Sequence, residues 1–350
     1  MYLMIKKLIL YFLSITNWVL ANPTPLDWEF PRDYAPHPHF NTEWWYFTGH
    51  LTDELDKLYG FQVTFFRHRI TLVPDSTSPF NAPHLYTAHF AFTDGEKGEF
   101  VYDHIYARQA LGQVKLENEP FHLALKEWSL TYQNHQFELH LSTIHGHFSL
   151  ILQPSKPMIF HGNQGVSFKG TDRNRFSHYY SHPRLIGSGQ FQRPDKTLNF
   201  TKASAWMDRE IFDNLSGGEP IGWYWFSLQL DDQSEVMLFQ VNGGQPYYSG
   251  TLIDPKGETL VVSPKDIKIK ALESWKSPKT GESYPVKWKI IVSANKTAGY
   301  SKQQYFVEAV MEGQELEVSQ PYKLSYWEGQ ALVSGTNSGK AYVEVVPVRD

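Results

Sequence analysis

The stretch WWYFTGHL at residues 44–51 has a counterpart in WYWFSLQL at residues 223–230, and an acidic turn follows each of them. The other matches keep the same order, and they are FQV at 61–63 with FQV at 239–241, YY at 179–180 with YW at 326–327, and AWMD at 205–208 with AYVE at 341–344. Ordered self-similarity of this kind is typical of a duplicated structural unit. The sequence therefore predicts two copies of one unit, the first enlarged by insertions.

Alternation of apolar and polar residues recurs along the chain, as in FELHLS at 137–142, DIKIKA at 266–271 and VKWKII at 286–291. A period of two is typical of half-buried β-strands. Clusters of Gly, Pro, Asn and Asp separate such runs at intervals that suit hairpins. The predicted fold is all-β, with two related antiparallel barrel or sandwich domains at residues 22–215 and 216–350.

The N-terminus has the order of a secretory signal peptide. Lys6 and Lys7 precede an apolar run at residues 8–15, and small or apolar residues continue to Ala21. The run is shorter than the roughly 20 residues that a transmembrane helix needs. We predict a signal peptide at residues 1–21 with cleavage after Ala21, no stable membrane span, and a periplasmic or secreted mature protein.

The composition excludes several classes of function. The 350-residue chain is 41% hydrophobic and 20% charged, with a formal net charge of −5 and no basic run that would mark nucleic-acid binding. Cysteine is absent, which excludes disulfides, thiolate catalysis and cysteine zinc sites. The sequence has no nucleophile elbow, phosphate-binding glycine loop or zincin motif, and two His-x-His pairs do not make a metal site. We therefore predict no metal and no cofactor.

The first repeat carries aromatic residues on both faces of one strand. In an extended chain Trp44 and Tyr46 point one way, whereas Trp45 and Phe47 point the other. Core packing explains any single ring. A surplus of aromatic rings inside a small barrel instead predicts a cavity for an apolar ligand, with Trp45 among the ligand-binding residues.

The segment AWMDRE at residues 205–210 is the strongest candidate for chemistry. An extended conformation puts Trp206, Asp208 and Glu210 on one face. Facing an apolar cavity, a carboxyl group would be held protonated by desolvation and could act as a general acid. The alternative is a structural ion pair with an arginine, which the matching acid Glu344 of the second copy favours.

Three further residues are candidates for the same site. His178 and Tyr180 share one face of a neighbouring strand and could provide a polar contact or orient a water molecule. Glu43 has the counterpart Gly222 in the second copy, so the fold does not require an acid there. The alternative for Glu43 is an ion pair with Arg32 or Arg67.

Four motifs together resemble the AttH/CrtC group, the lipocalin-like relatives of hydroxyneurosporene synthase, a carotenoid hydratase. They are FPRD at 30–33 leading to TEWWY at 42–46, AWMDRE at 205–210, GWYWFSLQL at 222–230 and YWEG at 326–329. The resemblance covers nearly the whole mature chain and implies two lipocalin-like domains with a ligand space near their junction. It also implies that Asp208 is the proton donor, with Trp206, His178 and Tyr180 around it. Members of the group include hydratases, cyclisation catalysts and predicted secreted hydrolases.

Three functional hypotheses follow. The first is an exported enzyme that hydrates or hydrolyses an apolar, isoprenoid-like or acyl-like molecule by acid catalysis. Its predicted catalytic residues are Asp208, Glu210 and His178. Its predicted ligand-binding residues are Trp206, Tyr180, Glu43 and Trp45. The second is a non-catalytic periplasmic carrier of lipids or hydrophobic ligands, since lipocalin-like barrels suit both roles. The third is an assembly protein that presents aromatic surface to a partner.

Overall fold

The computed structural model describes residues 23–70, 82–213, 221–318 and 324–349. The predicted signal peptide, the cleavage site after Ala21 and the predicted domain boundary between residues 215 and 216 lie outside these residues. Within them the chain forms strands and two short 3-10 turns, at Arg32–Tyr34 and Pro264–Asp266. The prediction of an all-β fold is confirmed.

The strands form two antiparallel sheets. The first contains β1 (Thr42–Asp53), β2 (Leu58–Arg69), β3 (His84–Asp94), β4 (Glu99–Arg108), β5 (Val114–Asn118), β6 (Phe121–Leu125), β7 (Trp128–Gln133), β8 (Gln136–Thr143), β9 (Gly146–Pro154), β10 (Ile159–Phe160), β11 (Val166–Phe168), β12 (Phe176–Gln192) and β13 (Thr197–Phe212). The second contains β14 (Gly222–Leu230), β15 (Glu235–Asn242), β16 (Tyr247–Ile253), β17 (Thr259–Val262), β18 (Ile267–Lys276), β19 (Ser283–Val292), β20 (Gln303–Ala309), β21 (Glu315–Val318), β22 (Leu324–Gly335) and β23 (Gly339–Val346).

The duplication in the sequence is reproduced in the strand order. The first sheet runs β4-β3-β2-β1-β13-β12-β9-β8-β7-β6-β5, and β10 and β11 pair with β12. The second runs β17-β16-β15-β14-β23-β22-β20-β19-β18, and β21 pairs with β22. Both therefore contain the same four-strand unit, β2-β1-β13-β12 in the first and β15-β14-β23-β22 in the second.

Each sheet curls around its own apolar core, so that it is nearly a closed barrel. Inward-facing residues such as Trp45 and Phe47 fill the first core, and residues such as Phe226 and Trp288 fill the second. Alternation along each strand supplies these inward rings and leaves the next residue on the outer face. The inward aromatic rings that suggested a ligand cavity inside a barrel belong to these two cores.

The two sheets pack on each other through their outer faces. Tyr46 and Trp206 of the first sheet meet Trp225 and Phe239 of the second in a shared apolar cluster. The rings of Tyr46 and Trp225 lie edge to face, with centroids 5.1 Å apart. Aromatic residues on both faces of β1 are thus explained, since one face fills the barrel and the other forms the contact between sheets.

Candidate functional site

A cavity of about 490 Å³ lies between the outer faces of the two sheets. Its volume is within the range of small-molecule sites. Most of its lining is aromatic or aliphatic, and the other lining residues are three threonines, two histidines, one lysine and four carboxylic acids. The lining residues are Thr42, Trp44, Tyr46, Thr64, Phe66, His68, Thr87, His89, Lys169, Tyr179, Asp208, Glu210 and Phe212 from the first sheet and its loops, and Ile221, Trp223, Trp225, Phe239, Val241, Val318, Leu324, Tyr326, Glu328, Glu344 and Val346 from the remainder.

Asp208 is a buried acid in this wall. It lies on β13, directly opposite Tyr46 on β1 and Ser181 on β12. Its side chain accepts three hydrogen bonds, from Ser181 Oγ and Trp206 Nε1 to Oδ1 and from the Tyr179 hydroxyl to Oδ2 at 2.6 Å. No salt bridge joins it to a basic residue in the described part of the chain. The predicted proximity of Trp206 to Asp208 is confirmed by this contact.

Burial raises the pKa of Asp208 to about 7, although the hydrogen bonds from Ser181, Tyr179 and Trp206 act in the opposite direction. The nearby Glu210 adds to the rise. Each carboxyl oxygen has two acceptor positions, and both positions on Oδ1 are occupied. The proton of the neutral acid is therefore held on Oδ2. A group that is half protonated near neutral pH is suited to proton donation.

The donors to this carboxyl are held in turn by the second sheet. Trp225 Nε1 donates to the Tyr179 hydroxyl at 3.1 Å. His161 bridges Ser181 Oγ, 2.8 Å from Nε2, and Thr251 Oγ1, 2.9 Å from Nδ1. Burial lowers the pKa of His161 well below its ordinary value, so the ring is neutral. The orientation of the acid thus depends on contacts between the sheets.

Glu210, the second predicted catalytic acid, is engaged in an ion pair. Lys169 Nζ contacts Glu210 Oε1, and Ser177 Oγ donates to the same oxygen at 3.2 Å. The ammonium group also lies over the rings of Tyr179 and Phe239, 4.8 and 4.3 Å from their centroids. The observed contacts make Glu210 the ion-pair partner of Lys169. Its predicted acid role stays a prediction.

Two more acids, Glu328 and Glu344, lie in the cavity wall formed by the second sheet. They face each other across the β22–β23 pair. Glu344 accepts a hydrogen bond from Trp223 Nε1 at 3.0 Å, whereas neither oxygen of the fully buried Glu328 has a hydrogen-bond partner of good geometry in the described residues. Burial raises the pKa of Glu344 to about 7 and that of Glu328 well above its ordinary value.

His178, Tyr180 and Trp45 do not line the cavity. On β12 the residues that reach Asp208 are the intervening ones, Tyr179 and Ser181, because successive side chains of a strand point to opposite faces. Tyr180 and Trp45 belong to the core of the first barrel. Burial lowers the pKa of His178 to about 4, and its ring packs among aromatic rings on that side. Their predicted places around the acid are corrected accordingly.

Glu43 lies outside the cavity and is fully buried in a charge cluster. Arg67 Nε and Arg209 Nη2 contact its two oxygens, and the backbone N–H of His37 donates to both at 2.9 and 3.0 Å. Burial alone would raise the pKa of Glu43, but Arg209, His37 and Arg67 hold it below its ordinary value. The alternative role as a partner of Arg67 therefore describes the observed contacts, and the ligand-binding role does not.

Sequence analysis missed Tyr179, Ser181, His161, Lys169 and Glu328. A usable signal existed for the first two, because the repeat aligns 179–180 with 326–327 and thereby aligns Ser181 with Glu328. Both aligned residues face the acid of their own copy across a strand pair. His161 and Lys169 lie in short segments outside the repeat, where no pattern marked them.

In the described residues, no group of three or more His, Asp or Glu side chains is arranged to hold a metal ion. Among the same residues, no helix has the length and apolar character needed to cross a bilayer.

Two nearly closed antiparallel sheets with a cavity at their junction define a lipocalin-like protein of two β-barrel units. The chain belongs to the AttH-like family, whose family model matches residues 21–346. The resemblance found in the sequence motifs is therefore confirmed. No curated protein sequence matches the chain.

Solved structures share this architecture. An AttH protein of Nitrosomonas europaea is 29% identical over 93% of this chain and 98% of its own, with a TM-score of 0.82. Kievitone hydratase from Nectria haematococca is 14% identical over 94% of both chains, with a TM-score of 0.71. CghA is 13% identical over 88% of both chains, with a TM-score of 0.57. At these low identities the last two similarities show the fold alone.

Proposed function

We propose that this protein is a hydratase that adds water across a carbon–carbon double bond of an apolar small molecule. The observation that carries the proposal is the state of Asp208, a buried acid without a basic partner in the described residues, held by three donors in the wall of an aromatic cavity. The fold shared with kievitone hydratase supports the reaction type.

The proposed reaction begins with proton transfer from Asp208 Oδ2 to one carbon of the double bond. A C–H bond forms from the π electrons, which leaves a carbocation and the Asp208 carboxylate. Water then bonds to the cationic carbon through its oxygen and releases a proton, which returns to the carboxylate. Alkene and water give an alcohol, so the balance requires no cofactor.

Two features of the cavity assist these steps. The faces of Trp44, Trp223 and Trp225 can stabilise a transient cation, because aromatic rings attract positive charge. Hydrogen bonds from Tyr179 and Ser181 stabilise the carboxylate that forms when the proton leaves. Since the donors are already in position, little reorganisation accompanies the transfer.

The test compares the wild type with Asp208→Asn, which keeps the shape of the side chain and removes the acid. Each protein is incubated with branched isoprenoid alkenes in heavy-oxygen water, and the products are analysed by mass spectrometry. We expect heavy oxygen in an alcohol product from the wild type and at least a hundredfold lower rate for the variant, the usual minimum contribution of a general acid. Tyr180→Phe, altered in the barrel core, serves as the control and keeps the activity.

A carrier function is the second candidate, and the apolar lining of the cavity favours it. Protein purified from its native cells distinguishes the two by native mass spectrometry of bound molecules. A hydrated product in the wild type with its alkene precursor in Asp208→Asn supports the enzyme. The same unchanged molecule in both proteins would establish a carrier.

We also propose that the protein is exported, because residues 6–21 have the order of a signal peptide. N-terminal sequencing of the native protein tests this. Export with cleavage after Ala21 gives Asn22 as the first residue, whereas an intact N-terminus on protein from the cytoplasmic fraction contradicts it.

A further inference from the structure

The cavity contains a second polar position that the proposed acid does not use. Glu328 and Glu344 lie directly opposite each other on β22 and β23, so both carboxyl groups face the cavity from the second sheet. Asp208 belongs to the wall formed by the first sheet. A ligand that fills the cavity therefore meets carboxyl groups from both sides.

The hydrogen-bonding capacity of this position is largely unused. Neither oxygen of Glu328 has a well-formed hydrogen bond in the described residues, and neither do the hydroxyl groups of Tyr46 and Tyr342. The Tyr46 hydroxyl nevertheless interacts with Glu328 and lowers the pKa of that carboxyl group. All three side chains are buried. A buried polar group without a partner is destabilising, so native proteins rarely keep one without a use. Because Glu328 and Tyr46 line the cavity, a ligand there can complete these hydrogen bonds.

The charge state of Glu328 and Glu344 determines which kind of ligand group they can bind. Burial, and then the neighbouring Glu344, raise the pKa of Glu328 well above its ordinary value, although the Tyr46 hydroxyl acts in the opposite direction, so the neutral form of this carboxyl is favoured. A neutral carboxyl group donates one hydrogen bond and accepts others. Its natural complement is an uncharged oxygen. Lys169, the cation in the cavity lining, is already paired with Glu210.

We propose that Glu328 and Glu344 bind the oxygen-bearing end of an apolar substrate, a hydroxyl or carbonyl group, while its unsaturated part lies against Asp208. This inference rests on the proposed hydratase function and deepens it by naming the substrate class. The substrate is an unsaturated, largely hydrocarbon molecule with one neutral oxygen function. The pair is a binding position, and the proton donor remains Asp208.

Binding measurements test the pair without relying on turnover. The probes are farnesol, which is a linear isoprenoid alcohol, the hydrocarbon farnesene, which lacks the hydroxyl group, and farnesylamine. Quenching of tryptophan fluorescence reports binding, because Trp44, Trp223 and Trp225 line the cavity. We expect the wild type to bind farnesol about tenfold more tightly than farnesene, which corresponds to one buried hydrogen bond.

The variant Glu328→Met should bind both probes with nearly equal affinity, whereas Glu328→Gln keeps most of the preference, because an amide also donates and accepts. Glu317→Met, at an exposed position of the adjacent strand β21, is the matched control and keeps the wild-type ratio. An unchanged preference in Glu328→Met would overturn the proposal. Tighter binding of farnesylamine than of farnesol would also overturn it, since that result identifies an ammonium site.

The binding test of Glu328 gives its result independently of the turnover test of Asp208. Asp208→Asn should retain the preference for farnesol even where it produces no alcohol from an alkene. A lost preference in Glu328→Met with no turnover in any protein would leave the binding pair supported and the hydratase refuted. Turnover by the wild type together with equal affinity for farnesol and farnesene would refute the binding role of Glu328 and Glu344 and leave the hydratase proposal supported.

Discussion

Asp208 and Glu344 hold equivalent positions in the two sheets. Asp208 lies opposite Tyr46 in the β1–β13 pair, and Glu344 lies opposite Trp225 in the β14–β23 pair. The equivalence follows from the repeat, which aligns AWMD at 205–208 with AYVE at 341–344. The two acids differ in the number of hydrogen bonds that they accept. Asp208 accepts three, and Glu344 accepts one from Trp223.

Ser181 lies opposite Asp208, and Glu328 lies opposite Glu344. Substitution of these two residues should change the free energy of unfolding in opposite directions. Ser181→Ala removes a donor to Asp208 and leaves His161 Nε2 without its partner, so it should lower the free energy of unfolding by about 1–3 kcal/mol. Glu328→Met replaces a buried carboxyl group that has no well-formed hydrogen bond with an apolar side chain and should raise that free energy by a similar amount. Urea denaturation of the ligand-free proteins at neutral pH measures both. Destabilisation by Glu328→Met would show instead that the interaction of Glu328 with the Tyr46 hydroxyl stabilises the fold.

Asp208 should make stability depend on pH in a defined direction. Its pKa is about 7 in the folded protein and near the ordinary aspartate value of 3.8 in the unfolded chain, so the folded state holds the additional proton between these values. The stabilisation is full below about pH 4 and is lost as the pH rises to about 7. Relative to Asp208→Asn, the wild type should lose up to about 1.4 kcal/mol per pH unit in that window.

Denaturation of both proteins at several pH values from 4 to 8 gives this difference. Contributions from groups that do not interact with Asp208 cancel in the comparison, whereas Glu344 contributes to the difference because the charge of Asp208 raises its pKa. A difference that stays constant with pH would mean that Asp208 is ionised throughout, and the acid role would fail with it.

The sequence predicted the duplicated β architecture and the shared face of Trp206 and Asp208, because both depend on local alternation and internal similarity. It could not predict which face of β12 meets that acid. A shift of one residue in register moves every side chain to the other face, so alternation alone does not separate His178 and Tyr180 from Tyr179 and Ser181. Register between strands depends on tertiary packing, which one sequence does not display.

The side of β1 that faces the cavity is hidden in the sequence for a related reason. Trp44 and Trp45 are equally aromatic, and alternation alone does not reveal which of them faces a barrel core and which faces a second sheet. The partner of Glu210 was equally hidden, because Lys169 is separated from it by 41 residues. Such contacts form only when β11, β12 and β13 assemble.

Removal of the Lys169 ammonium group should lower the free energy of unfolding, because Glu210 is buried next to it. Lys169→Met leaves a buried carboxylate with no counter-charge and should destabilise the protein by about 3–5 kcal/mol at neutral pH. The double variant Lys169→Met with Glu210→Gln removes both charges and should recover most of the loss. A double-mutant cycle by thermal or urea denaturation measures the coupling. Equal destabilisation in the single and double variants would show that Lys169 acts through packing on Tyr179 and Phe239 instead.

Glu43 should be required for stability and not for ligand binding. Glu43→Gln keeps the shape of the side chain but leaves Arg67 and Arg209 buried without their anion, so unfolding should become easier by about 3–5 kcal/mol. The cavity is lined by Trp44 and Tyr46 from the same strand and not by Glu43, so the farnesol affinity of the folded variant should stay within about twofold of the wild type. Fluorescence titration at a temperature well below the melting transition separates the two effects. If affinity falls sharply while the melting temperature is unchanged, Glu43 contacts the ligand and the charge cluster is not its main role.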